Sequence, residues 1–217
     1  MAIFFDSSKP FVENMKPFFA PGVSQAEIIA TYNSRKDTYE KDNPPDLYKA
    51  PTITAEKTTE VVFNKCARIL DVGSGTGLVG EELSKRGYCN VDALEPSMGC
   101  IETAQKKKVY KNIMCDVLGG KKVQIENGSY DAVVCCGSFM PNFIPPSGIK
   151  KLVRIAKSGG CVVILLRREF CYEGSYGQEL QLCIDELKES KEVEVIEIQN
   201  APYRVGVPGV CVVLRVT

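Results

Sequence analysis

The sequence predicts a doubly wound α/β domain: a seven-stranded, mostly parallel sheet between helices, with the last strand antiparallel. Three observations carry this. Short apolar runs alternate with amphipathic stretches from Ala67 to the end of the chain. The run Tyr130 to Cys136 is nearly all apolar, as a strand buried on both faces should be. The last two runs are joined by Asn200 to Gly209 alone, too short a link for a helical crossover, which makes that pair antiparallel.

Residues 1–23 carry Pro10, Pro17 and Pro21 among phenylalanines and are expected to form an arm over the domain rather than a helix of their own. Ser24-Gln-Ala-Glu27 spells a capping box, which opens a helix to about Glu40 with Ile28, Tyr32 and Tyr39 on one face. Asn43-Pro-Pro-Asp46 breaks the chain, and Pro51 precedes a second helix over about 52–64. Residues 24–217 are expected to be one domain, with 24–51 either a helical lid or plain core packing.

The alternation then begins. A strand ends at Val72, a helix runs from Thr76 to Arg86, and Gly87 stops it. Val91 to Leu94 and Ile113 to Cys115 are strands flanking a helix from Ser97 to Lys108. After the strand at 130–136, Pro145-Pro-Ser147 opens a helix with Ile149, Leu152, Val153 and Ala156 on one face. Ser158-Gly-Gly160 turns into the strand Cys161 to Leu166. A helix carrying Leu180, Cys183, Ile184 and Leu187 on one side leads to strands Val193–Ile198 and Val210–Val216.

Composition excludes several classes. With 217 residues the chain can bury one real core. Lys plus Arg and Asp plus Glu are both 27, and this balance lacks the electrostatic footprint of a nucleic-acid binder. No stretch approaches a membrane span, and residues 1–20 hold no continuous apolar leader. The ten cysteines form no CxxC pair and lie mostly inside apolar runs, and the absence of histidine removes the commonest zinc partner. The expectation is a reduced, cytoplasmic protein without metal, membrane or nucleic-acid partner, its cysteines serving as small hydrophobes.

The most informative segment is Ile69-Leu-Asp-Val-Gly-Ser-Gly-Thr-Gly77, a strand tip with an acid, Asp71, before glycines at 73, 75 and 77. A strand, a glycine turn and a helix in this order build a nucleotide-sized crevice. Two ligands compete for it. Gly75-Thr-Gly77-Leu-Val-Gly80 also fits a dinucleotide fingerprint, with Glu95 where that fingerprint expects its ribose acid. Asp71 argues against the dinucleotide: a carboxylate ~4 Å from a pyrophosphate charge is repelled by about 4 kcal/mol at an effective dielectric of ~20. S-adenosylmethionine carries no phosphate, and its ammonium suits Asp71, while Gly73 and Gly75 let the backbone approach.

The chain at 24–217 resembles the class I S-adenosylmethionine-dependent methyltransferases, which have a Rossmann-like fold. The carriers are the segment 69–77, Leu94-Glu-Pro-Ser97, Cys115-Asp-Val117, Tyr130-Asp-Ala-Val-Val134 and Arg154-Ile-Ala-Lys-Ser-Gly-Gly160, where Ser158 replaces a proline. Tyr48-Lys-Ala-Pro51 and Arg86-Gly-Tyr88 make it similar, more narrowly, to the Williams–Beuren-region methyltransferase-like proteins. Relatives often begin Tyr-Asp-x-Trp-Ala-x-x-Tyr-Asp. Tyr32 and Tyr39 keep the tyrosines, while Asn33, Arg35, Lys36 and Glu40 depart from the pattern.

The resemblance implies a donor site formed by Asp71 and the turn Gly73, Ser74, Gly75 and Gly77 around the methionine part. Glu95 and Pro96 would lie at the ribose. Asp116 would accept from the adenine amino group, with the Val117 N–H facing the ring. Cys135 or its carbonyl would line the donor amine, with Tyr32 and Tyr39 above; core packing is the other reading of Cys135 and Cys136, since a strand sends neighbours to opposite faces. S-adenosylhomocysteine is the implied product, while the subfamily lends no substrate. The expected acceptor pocket lies among the arm and first helix, residues 138–146 and the loop around Tyr203 and Arg204, and Phe139, Met140 and Phe143 make it apolar, which favours a small molecule over a nucleic acid. A regulatory protein that binds the donor without catalysis, and a nicotinamide-dependent oxidoreductase, are the alternatives.

Overall fold

The computed structural model describes residues 2, 3, 6 and 9–217; the rest of the expected arm, at 1, 4, 5, 7 and 8, lies outside the described residues. The strands are β1 (Ile69–Val72), β2 (Val91–Leu94), β3 (Ile113–Met114), β4 (Tyr130–Cys136), β5 (Ala156–Arg167), β6 (Val193–Arg204) and β7 (Val207–Val216). They form one sheet in the order β3-β2-β1-β4-β5-β7-β6. All neighbours pair in parallel except β7, which runs antiparallel to both β5 and β6. The order reverses beside β1, and the crevice at the carboxyl ends of β1 and β4 is where such sheets bind ligands.

Strand alternation sorts the core into two layers. Leu70, Val133, Cys135 and Ile164 join one buried cluster, and their neighbours Ile69, Val134 and Leu165 join the other. The first layer is closed by α7 (Gly148–Ile155) and α9 (Gly174–Glu189) through Leu152, Leu180 and Ile184. The second is closed by α4 (Ala50–Val61) and α5 (Leu78–Lys85) through Ala55, Val79 and Leu83. The remaining helices are α1 (Phe11–Met15), α2 (Gln25–Ser34), α3 (Tyr39–Asp42), α6 (Met98–Lys107) and α8 (Glu169–Tyr172). Among the described residues no helix is long and apolar enough to cross a membrane. Six of the ten cysteines are buried, and none is in a disulfide.

Several expected boundaries move, each for a local reason. The arm does hold a helix: Pro10 caps α1 and Pro17 starts a 3₁₀ turn over Lys16–Phe19, because proline suits a first turn as well as it breaks an interior. Met15 and Phe18 from this segment enter the core, so it is part of the packing and not only a cover. The helix expected to reach Glu40 stops at Ser34, where Arg35 leaves helical geometry and pairs with Asp42 at 2.9 Å. Pro51 sits inside the first turn of α4 rather than before it. Gly77 at φ +90° caps α5, which leaves Thr76 in the turn.

Ser158-Gly-Gly160 does not end a loop. It is an irregularity within β5, with Gly159 at φ +77° and the β4 register shifting between Tyr130 and Ala132. The expected link 200–209 is mostly strand, because β6 and β7 zip up to a turn at Val205 and Gly206; Pro202, opposite Pro208, lies on the edge strand β6, which tolerates proline.

Candidate active site

A single cavity runs from the carboxyl ends of β1, β2 and β4 to beneath α2. One end is lined by Gly73, Gly75, Glu95, Pro96, Asp116 and Val117, the other by Tyr32, Tyr39, Tyr48, Phe143, Arg167 and Tyr203.

Glu95 organises the first end. Its Oε2 accepts from the Gly75 N–H at 2.9 Å and its Oε1 from the Ser97 N–H at 2.8 Å. One carboxylate thereby ties the turn after β1 to the start of α6, and each oxygen keeps a further lone pair. Burial pushes the Glu95 carboxyl upward, opposed by the Ser97 and Gly75 N–H groups. Gly75 has φ +55° and open space where a Cβ would stand, so backbone forms this part of the wall. At Gly73 a Cβ would lie 2.3 Å from the Ser138 Oγ. Ser74 and Gly77 do not line the cavity; the Ser74 carbonyl accepts from the Gly77 N–H at 3.0 Å and closes the turn from behind.

Asp71 is not where the sequence places it. Its side chain is fully buried and absent from the cavity wall. The Tyr110 hydroxyl donates to its Oδ2 at 2.5 Å, and the Gly80 N–H donates to that hydroxyl at 3.2 Å. Burial pushes the Asp71 carboxyl up to about 7, with the Tyr110 hydrogen bond opposing and the Glu95 charge adding. A Cβ on Gly80 would fall 2.4 Å from the Tyr110 ring, so the last glycine of the fingerprint makes room for a tyrosine and not for a phosphate. Nothing near Asp71 in the chain signals Tyr110, which arrives from beyond α6.

Asp116 lines the cavity, but its carboxylate is a loop organiser. Oδ1 accepts from the Val117 N–H at 2.8 Å, and Oδ2 from Lys122 and Val123 at 2.8 and 2.9 Å. These N–H groups, Val123 foremost, hold its carboxyl below the usual range. The Val117 N–H expected to face a ring is therefore already engaged; short acids after a strand readily take nearby backbone donors. Of the two readings of Cys135, its side chain takes the core one: it is fully buried, and its neighbour Cys136 lines the cavity instead, because β4 sends adjacent side chains to opposite faces.

Tyr32 and Tyr39 do meet, with ring centroids 5.9 Å apart, and Phe143 stands edge-on to Tyr32 at 6.0 Å. The break between α2 and α3 brings them together, not one continuous helical face. The segment is fastened to α6 by Asn33, whose Oδ1 accepts from the Ser97 hydroxyl at 2.8 Å and the Gly99 N–H at 2.9 Å. Tyr48 and Tyr203 pack edge-on at 5.4 Å. Gly137, at φ +71°, leaves room for both hydroxyls, which a Cβ would approach to 2.9 and 2.8 Å. Burial raises the hydroxyls of Tyr32, Tyr39, Tyr48 and Tyr203 well above their ordinary range and the Cys136 thiol to about 12. At neutral pH these groups are donors rather than bases.

Residues 69–160 match the family described as "Methyltransferase domain". Over these residues the chain resembles the methyltransferases, as the fold and the glycine turn already suggest. It is 29% identical over 167 residues to human methyltransferase-like protein 27, covering 76% of this chain and 67% of that protein. Among solved structures it is similar to the Burkholderia thailandensis 1,6-didemethyltoxoflavin-N1-methyltransferase, crystallised with its substrate and S-adenosylhomocysteine, at 13% identity and TM-score 0.63, covering 89% and 87% of the two chains. It is also similar to the magnesium protoporphyrin IX methyltransferase of Synechocystis, with bound S-adenosylmethionine, at 14% identity and TM-score 0.60, covering 90% and 99%. The methyltransferase-domain match sets the nicotinamide alternative aside.

Proposed function

We propose that the methyl group goes to a small, largely apolar molecule held at the second end of the cavity. The supporting observation is the wall there: Tyr32, Tyr39, Met140, Phe143 and Tyr203 converge beneath α2. Such a pocket takes a small molecule in preference to a nucleic acid. The two small-molecule methyltransferases named above have the same fold.

In this reading the donor lies over Gly73 and Gly75, its ribose hydroxyls donating to the free lone pairs of Glu95. Asp71 acts at one remove by bracing the turn through Tyr110. Residues 24–51 are the lid of the 24–217 domain, fastened by Asn33, and 1–23 an arm beside it. The donor's sulfonium supplies an already activated methyl carbon. The chain's own share is alignment, and well-oriented pairs can gain ~7–11 kcal/mol. The raised tyrosines leave no evident base, which suits an acceptor already nucleophilic as a carboxylate, a thiolate or a neutral amine. The composition, with its cysteines in apolar runs, supports a cytoplasmic protein that works without metal, membrane or nucleic acid.

Incubation of the purified chain with methyl-labelled donor and a cell extract tests this. Label is expected in the low-molecular-mass fraction with wild type, and at a much reduced level with Glu95→Ala. Label confined to nucleic acid or protein contradicts it. Donor binding without transfer to any fraction favours a regulatory role.

A further inference from the structure

Arg167 ends β5 and lines the acceptor end of the cavity, and it is only 5% exposed. Its Nη2 pairs with Glu169. Its Nε and Nη1 are buried and have no hydrogen-bond partner among the described residues. A guanidinium carries five N–H donors and stays charged, and buried donors in native proteins are nearly always satisfied. Two unpartnered nitrogens on a side chain of the cavity wall therefore point to a group that enters the cavity.

The surroundings narrow its chemistry. The rings of Phe11, Phe19 and Phe170 lie 5.8, 5.6 and 5.1 Å from the guanidinium carbon, an apolar cage that steadies the cation without accepting its hydrogen bonds. The two acids lining the cavity, Glu95 and Asp116, are both at the donor end and already hold backbone N–H groups. Arg35, the other cation near the tyrosines, is paired with Asp42. With Glu169 neutralising part of its charge, Arg167 suits a singly charged planar anion better than a phosphate dianion.

We propose that the acceptor is an apolar carboxylic acid whose carboxylate docks on Nε and Nη1 of Arg167, anchoring it while another part of the molecule faces the donor. This rests on the reading of the cavity as a small-molecule site and names its substrate class. The carboxylate here is an anchor and not the methylated group, since a guanidinium draws off the electron density that attack would use.

The test is calorimetry on the full chain loaded with S-adenosylhomocysteine. Phenylacetate, 3-phenylpropanoate and 4-phenylbutanoate are each titrated beside the matching carboxamide. At least one acid is expected to bind about tenfold or more tighter than its amide. Arg167→Met should abolish that preference, and Arg167→Lys, which keeps the charge but not the fork, should retain part of it. Affinity for S-adenosylhomocysteine should stay unchanged in both. A merely structural role would lower the melting temperature of the variants and leave the acid-to-amide ratio intact. Equal binding of acids and amides, binding by no acid, or a preference that survives in Arg167→Met overturns the proposal. Binding is read without turnover, so a chain that prefers acids but transfers no methyl group counts against the small-molecule reaction and not against Arg167.

Discussion

Glu95→Ala is expected to weaken S-adenosylhomocysteine binding on the order of 100-fold and to lower stability by about 1–3 kcal/mol. The two effects have separate origins. The Ser97 N–H is buried and loses its acceptor outright, whereas Gly75 lines the cavity and its N–H regains water. The stability loss therefore comes mainly from the Ser97 side, reduced by relief of a carboxylate that burial disfavours. The affinity loss adds two charge-assisted bonds to the ribose hydroxyls, each about 1.5–3 kcal/mol, to the loosening of the turn. Glu95→Gln keeps one good acceptor but turns an amide N–H₂ toward the second donor, so an intermediate loss is expected. Calorimetry and thermal melts on the same samples read both numbers. Unchanged affinity in Glu95→Ala would remove this residue from the donor site.

Asp71→Asn is expected to stabilise the donor-free protein, and more so at pH 8 than at pH 4. The sign follows from proton linkage. Burial lifts the folded carboxyl to about 7, while in the unfolded chain it titrates near the ordinary value of 3.8. Between those values the folded state binds more protons than the unfolded state, so stability falls as pH rises and the cost is complete above the folded value. It amounts to at most about 4 kcal/mol. An asparagine carries no such cost and can still accept from Tyr110. At ~2–4 °C per kcal/mol for a chain of this size, the gain in melting temperature at pH 8 should reach several degrees. Glu95 shifts in the same direction in both proteins and drops out of the difference. An equal gain at both pH values, or a loss at pH 8, contradicts the burial of an ionisable Asp71.

The sheet was legible because each strand repeats one signal, an apolar run ending in a turn residue, and the β6–β7 link was too short for a crossover. Gly73, Gly75 and Glu95 were legible for a related reason: close backbone approach and an acid after the next strand are fixed by local spacing. What stayed hidden depends on contacts remote in sequence. Tyr110 takes Asp71 away from the cavity across 39 residues, and Asn33 fastens the lid segment across 64 to Ser97 and 66 to Gly99. Asp116 was legible as part of the wall, but its bonds from the Lys122 and Val123 N–H groups were not, since those donors come from a loop without periodicity. Cys135 and Cys136 show the limit of strand reading: alternation says that neighbours face opposite ways, but only the packed layers say which one faces the ligand. Arg167 did carry a signal, a charge closing an otherwise apolar strand at its carboxyl end.

The central claim is that Glu95 and the backbone at Gly73 and Gly75, rather than Asp71, hold the methyl donor. A crystal structure of the chain with S-adenosylhomocysteine tests it most directly. Both ribose hydroxyls are expected within hydrogen-bonding distance of the Glu95 carboxylate, the amino-acid tail over the glycine turn, and the Asp71 side chain still on Tyr110 and out of contact with the ligand. A sugar bound away from Glu95, or an Asp71 carboxylate swung out to the ammonium, would contradict the account.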